Sequence, residues 1–504
     1  MPKEPATQQF ILLPSRGLRA SQASEFNAES SPFLVDLAQA WQSTSSAGVL
    51  SSLPGMPDVK ARVIDSIHED GAKLIEMSPS AALALRARQP GLRLVPIVWY
   101  ELAVAPRAST VVAPPTRPAR AGAMITVSVT TADHHPVRDA MVVAFTDFTA
   151  RRGVQGKTNA RGQVRLALGA ASRRIDRLYV YPPENGLWGF LRRNFLLSDG
   201  FQVSLQKLDL TFTDCLRFFY GNSPDGTGQG VTVGVIDCGI DTNHPDLHVS
   251  GGANTVPGEN PSEFGPNGAP HGTHVAGIIA AHGTPPAGLR GLAPAVSLRS
   301  YRVFGQGQRE ASNYAIIKAI DAAVADRCDL INMSLGGGAP DAATIAAIAD
   351  ARAQGSLCII AAGNDDRQDV SFPASDPLAV AVAALGRIGT FPATSVEAGD
   401  VEPPFGTDRK NFIAAFSNVG AALDLVGPGV GVMSTVPGGY APMSGTSMAC
   451  PAVAGAAAKL LAMRPDLLSM ARDQVRSNAI AGALFASAKT LGFQPQFEGH
   501  GLLS

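Results

Sequence analysis

The run Val231-Thr-Val-Gly-Val-Ile236, ending in Asp237, constrains this chain more than any other feature. A continuous apolar run of this length reads as a strand buried on both faces, the kind found in parallel sheets. It carries Asp237 to the strand's carboxyl end, where the sites of open α/β sheets gather. The fold class expected for this part of the chain is therefore α/β.

Two more segments follow in order. His271-Gly-Thr-His-Val-Ala-Gly277 opens a run of small and apolar residues that suits a buried helix starting at or just before His271. Gly445-Thr-Ser-Met-Ala449 precedes an Ala-rich stretch expected to be helical from about Ala452 to Met463, with Pro451 in its first turn. A serine at a helix N-terminus has backbone N–H groups and a positive dipole end beside it, which favour an oxyanion. Singly, each motif has a plain structural reading: Asp237 as a turn residue, Ser447 as an N-cap, and His271 with His274 as half a metal site that nothing completes. Together, in the order Asp, His, Ser, they fit nucleophilic catalysis, with Ser447 attacking, His271 as base and Asp237 orienting the imidazole.

These segments resemble the subtilisin-like serine peptidases, the subtilases, over about Gly228 to Leu503. Ala361-Ala-Gly-Asn364 resembles the family's oxyanion segment, so the resemblance gives Asn364 the role of oxyanion donor. Ser334-Leu-Gly-Gly-Gly338 resembles its substrate-binding strand, implying backbone pairing of an extended peptide by Ser334, Leu335, Gly336 and Gly337. Ser371-Phe-Pro373 is similar to the segment closing the first specificity pocket, where many relatives have Gly-Tyr-Pro. Ser371 would shorten that pocket and favour apolar, medium-sized residues before the cut bond.

The departures concern thiols and calcium. Cys238 and Cys450 stand where the family usually has Ser or Thr; they read as small buried packers or as thiols whose modification blocks the site. Many relatives bind calcium through an Asn-rich loop with the Asp of His-Pro-Asp-Leu. His244-Pro-Asp-Leu247 is present, but the loop, His282-Gly-Thr-Pro-Pro-Ala-Gly288, has no Asn, Asp or Glu, so no metal and no other cofactor is expected.

Upstream, four domains or segments are expected: 1–105, 106–122, 123–208 and 209–504. Strand, helix, strand, strand, helix, strand signals from Gln9 to Val98, with Ser78 and Pro79 capping the second helix, give an α+β, ferredoxin-like unit. Beside a subtilase domain, that order resembles the inhibitory propeptide, with Pro96–Leu102 as the tail entering the cleft. Ala105 to Ala121 reads as an extended, exposed Pro/Ala-rich linker. Short strands from Met124 to Leu205 read as a small all-β sandwich, weakly resembling the transthyretin type, with its role as spacer or folding brace, or in partner recognition, left open. Whether processing cuts near Glu101 or in the linker, or near Asp209–Asn222, is left open by the sequence.

The net charge of −1, with 16% charged residues, shows no bias toward nucleic acid or anionic membrane. No apolar run of eighteen residues predicts a membrane span. A polar start without a signal peptide, and five scattered cysteines, suit a cytoplasmic location, with unconventional secretion as the other route. The expected function is a serine endopeptidase made as an autoinhibited zymogen, acting on protein or peptide substrates. Two alternatives are a catalytically silent, protease-shaped binding module and a latent processing enzyme that needs a partner.

Overall fold

The structure, a computed structural model, describes residues 7–23, 30–43, 50–110, 124–168, 174–183 and 185–503. Strand Thr232–Asp237 lies inside a parallel sheet. On one side it pairs with Ser297–Arg302 and then Val249–Asn254; on the other come Leu330–Met333, Leu357–Ala361, Val380–Arg387 and Leu425–Pro428. Strand order reverses at Thr232–Asp237, which opens a crevice at its carboxyl end. Successive side chains of a strand point to opposite faces, and here both faces are covered. Val233 and Val235 pack in one core with helices His271–Ala280 and Thr446–Ala462, while Ile236, Ile331 and Met333 pack with helices Asn313–Ala325 and Ala342–Ala353.

The first 102 residues supply a second sheet, ordered Ser51–Leu53, Met56–Ser66, Lys73–Met77, Gln8–Pro14, Leu92–Pro96, with every neighbour antiparallel. Helices Ser30–Ser43 and Pro79–Arg88 share a core on one of its faces through Leu34, Leu37, Ala82 and Leu85. Ser78 caps the second, accepting the Ala81 N–H, with Pro79 at the first helical position. The other face, carrying Ile11, Leu13, Leu74 and Val95, merges with the core around Tyr314, Ala315 and Ala347 of the large domain. Arg19 and His68 both reach Asp321 across this junction, and Lys318 pairs with Asp65.

Two further sheets build the sandwich. One is ordered Gln163–Ala167, Met124–Thr131, Phe201–Leu205; the other Phe190–Leu196, Arg174–Tyr181, Met141–Asp147, Arg152–Lys157. Strands Phe190–Leu196 and Arg152–Lys157 were not foreseen in the sequence. Both are edges of their sheet, with exposed Arg152, Arg192 and Arg193, and charged, half-solvated edges lack a clean apolar alternation.

The sandwich is not tethered by a free spacer alone. Trp188 is 1% exposed within the large domain's core and meets Phe212 edge to face, with ring centroids 5.9 Å apart. Leu191 N–H donates to Thr394 C=O (2.7 Å) and Gly186 N–H to Tyr440 C=O (2.8 Å). The expected exposed linker is also held where it is described. Ala108 N–H donates to the Tyr181 hydroxyl (3.0 Å) and Thr110 N–H to Gln155 (3.1 Å), while residues 111–123 lie outside the described part. Among the described residues, no helix is long and apolar enough to cross a membrane.

Truncating a buried aromatic of this size costs about 3–5 kcal/mol. Trp188→Ala is therefore expected to lower unfolding stability by about that amount in urea titration and to make the sandwich more sensitive to limited proteolysis. An unchanged midpoint and digestion pattern would mean the sandwich is not anchored through Trp188.

Candidate active site

Asp237 and His271 meet at the strand's carboxyl end, and Ser447 lies in the first turn of helix Thr446–Ala462, which shares a core with helix His271–Ala280. The strand delivers Asp237, whose Oδ1 accepts the Cys238 N–H (2.7 Å) and whose two oxygens face His271 Nδ1 at 2.9 and 3.0 Å. Both side chains are almost wholly buried. Two acceptors on one ring nitrogen place the proton at Nδ1 and leave Nε2 as the basic atom. His271 Nε2 is buried with no hydrogen-bond partner among the described residues. The Ser447 hydroxyl instead donates to Ser334 C=O (3.0 Å). Neighbouring His274 points its Nε2 at Val432 C=O and Ala441 C=O, both at 3.0 Å, and burial pushes its pKa down to about 3.

The helix bearing Ser447 begins at Thr446, six residues before the expected Ala452, so Pro451 lies inside it rather than in its first turn. A proline there cannot donate to the carbonyl four residues back, which belongs to Ser447. That carbonyl accepts the Ser334 hydroxyl instead (3.0 Å), and this bond lets the helix run through the proline. Ser334 also receives Asn332 Nδ2–H (3.1 Å).

Asn364 follows strand Leu357–Ala361. Its Oδ1 accepts Thr446 N–H (2.9 Å) and the Thr446 hydroxyl (3.1 Å), which fixes the other end of the amide as the donor. Thr446 was not singled out in the sequence, although it lies in the same motif as Ser447. Ser371 donates its hydroxyl to Ala362 C=O (3.0 Å) and lies close to both Gly336 and Gly363, narrowing the space between them.

Leu335–Gly336 is occupied by the chain's own Trp99–Leu102, which lies antiparallel between it and Glu310–Ser312. Leu102 pairs with Leu335, Glu101 with Gly336, and Tyr100 with Ala311. The segment continues past the expected end at Leu102. Ala103 N–H donates to Ser334 C=O (3.1 Å), Ala103 C=O accepts Ser447 N–H (3.1 Å), and Ala105 N–H donates to Ser444 C=O (3.0 Å). Gly445, at φ +152°, is required here: a Cβ would sit 2.8 Å from Ala103 O and 3.0 Å from Ala105 N. Gly337 carries no pair of this ladder but turns the chain, its N–H donating to Phe372 C=O (3.2 Å).

All five cysteines are buried free thiols. Cys238 Sγ accepts Gly272 N–H (3.2 Å), and Cys450 Sγ lies 3.1 Å from Asn332 Oδ1 and from Ile359 C=O. Burial pushes both thiols up, away from the reactive thiolate. The Asp246 carboxylate is likewise spent within the protein, accepting Leu289 N–H (2.8 Å) and the Tyr440 hydroxyl (2.9 Å). A hard cation needs several oxygen ligands, and the residues around Asp246 do not fit one. Among the described residues, no three His, Cys, Asp or Glu side chains gather as a metal site.

An open α/β sheet that sets Asp237 against His271 at its switch point, beside a helix opening on Thr446 and Ser447, is consistent with a subtilisin-like fold. The sequence profile of the Subtilase family matches residues 228–501, and the chain belongs to that family. Subtilisin NAT of Bacillus subtilis subsp. natto is 40% identical over 264 residues, half of this chain and 61% of that protein. Subtilisin BL and Subtilisin Savinase of Lederbergia lenta are 41% and 40% identical over 253 residues, half of this chain and 82% of each relative. The match thus spans under two thirds of Subtilisin NAT, and the 1–227 portion falls outside the family match.

Removing the Ser334 hydroxyl leaves the Ser447 carbonyl buried without its partner, a loss of about 1–3 kcal/mol. In a Ser447→Ala background, which prevents self-digestion, Ser334→Ala is expected to lower stability in thermal denaturation by about that amount. No change would mean that Pro451 is accommodated in another way.

Proposed function

We propose that this protein is a serine endopeptidase made as a zymogen, with residues 1–103 as its intramolecular inhibitor. The observation that carries this reading is the Ala103 carbonyl, 3.1 Å from the Ser447 N–H at the start of the helix. That donor, with the amide of Asn364, is where a tetrahedral oxyanion is stabilised in acyl transfer. Ala103 thus occupies the position of the residue before a cut bond, and the bond presented is Ala103–Val104.

In the proposed reaction, the Ser447 hydroxyl turns from Ser334 C=O to His271 Nε2, which takes its proton as Oγ attacks the carbonyl carbon. Asp237 holds the Nδ1 tautomer and stabilises the imidazolium. The imidazolium protonates the leaving amine, and a water deprotonated by the same nitrogen then hydrolyses the acyl-enzyme. Asn364→Ala is expected to lower turnover roughly a hundred- to a thousandfold, the loss that removing one such donor causes in subtilisin itself. Ser371 and the small Ala103 side chain together support a shallow first pocket that takes small to medium apolar residues.

Cutting after Ala103 would leave the sandwich on the peptidase, since Trp188 is buried there. Intact mass over time, for the wild type beside Ser447→Ala, tests this. Wild type alone should shorten, losing residues 1–103 with Trp41 and Trp99 and keeping Trp188. Loss of all three tryptophans would place the cut after the sandwich, and two unchanged masses would contradict self-processing.

We also propose that no calcium is held at Asp246. Excess chelator should leave the melting temperature unchanged; a fall reversed by added calcium would refute this.

A further inference from the structure

The tail's deepest side chain is Tyr100, three residues before Ala103. It is 0% exposed, while Trp99 beside it is 54% exposed. Its neighbours form a pocket shaped for a ring with a polar end. Gly338 forms one wall, where a Cβ would lie 2.5 Å from the Tyr100 ring. Ala311 lies opposite in register, and Phe372 meets the ring tilted, with centroids 6.2 Å apart. At the far end the Tyr100 hydroxyl donates to Asp341 Oδ2 (2.6 Å), with Ala339 C=O at 3.3 Å.

Asp341 is rigid. Its Oδ1 accepts the N–H groups of Ala343 and Thr344 (both 2.9 Å), capping helix Ala342–Ala353, and its Oδ2 also accepts the Thr344 hydroxyl (2.8 Å). One carboxylate therefore divides its work: one oxygen starts the helix and the other waits at the pocket floor. A capping role needs only the first.

We infer that Asp341 is a specificity-determining residue that selects tyrosine over phenylalanine at the fourth position before the cleaved bond. This deepens the peptidase reading and rests on it: once the tail leaves, the pocket that held Tyr100 receives a substrate side chain. A buried carboxylate left without its hydroxyl partner is costly, so the pocket discriminates by the bond that phenylalanine cannot make. Burial first, and then the Asp341 charge, push the Tyr100 hydroxyl up, so it remains a donor. The Thr344 hydroxyl keeps Oδ2 partly satisfied in the empty pocket, which limits the preference to about ten- to a hundredfold.

The test compares kcat/KM of the self-processed enzyme for acetyl-Tyr-Glu-Leu-Ala-p-nitroanilide and its Phe counterpart. A Tyr-to-Phe ratio of about ten to a hundred is expected, falling toward one in Asp341→Ser, whose shorter side chain still caps the helix. A ratio near one in the wild type, or one unchanged in Asp341→Ser, overturns the inference. If neither peptide is cut, the peptidase reading fails, and the pocket is then judged separately in the full chain. There, Tyr100→Phe and Asp341→Ser, alone and combined in the Ser447→Ala background, should shift the melting temperature non-additively by about one to two degrees. Additive shifts overturn the pairing.

Discussion

The hydrogen bond from Ser447 N–H to Ala103 C=O is where the folded parts of this chain depend on one another. The donor exists because a helix begins at Thr446, and the helix persists through Pro451 because Ser334 satisfies the Ser447 carbonyl. The acceptor is held in place because Trp99–Leu102 is paired as a strand on both edges, Glu310–Ser312 and Leu335–Gly336. Behind that strand, an entire antiparallel sheet packs against helices Asn313–Ala325 and Ala342–Ala353. A peptide in such a ladder is bound through its backbone, with pockets reading alternate side chains, and here Tyr100 is the side chain most completely read.

Stability near the crevice comes from polar groups satisfied within the protein. Asp246 takes the Leu289 amide and the Tyr440 hydroxyl, and Tyr440 in turn gives its carbonyl to Gly186 of the sandwich. That chain of bonds links the sandwich to the loop after helix His271–Ala280, the helix that starts with the imidazole. The sandwich is thereby joined, through Tyr440 and Asp246, to the loop that follows that helix, in addition to its Trp188 anchor.

Much of this was legible in the sequence, for identifiable reasons. Val231–Ile236 announced a parallel strand because it is buried on both faces, and Ser78-Pro79 announced a helix start because a cap and a proline fit only there. Asp237, His271 and Ser447 could be grouped because each lies in a short motif of its own. Where the sequence misled, the controlling partner was far along the chain. Pro451 pointed to a late helix start because the compensating hydroxyl, Ser334, lies more than a hundred residues away. The edge strands of the sandwich carry charge instead of alternation, and the burial of Trp188 depends on Phe212, which lies outside the sandwich. Tyr100 and Asp341 carry no local motif, since their meaning comes from meeting across 241 positions.

On the proposed reading, the tail closes a competent site. The rate of fluorophosphonate labelling at Ser447, in freshly purified full-length protein and in the form cut after Ala103 and freed of the tail, tests it most directly. The full-length chain is expected to resist the reagent, while the freed form labels stoichiometrically at Ser447. Equal labelling of both forms, or none in either, would contradict it.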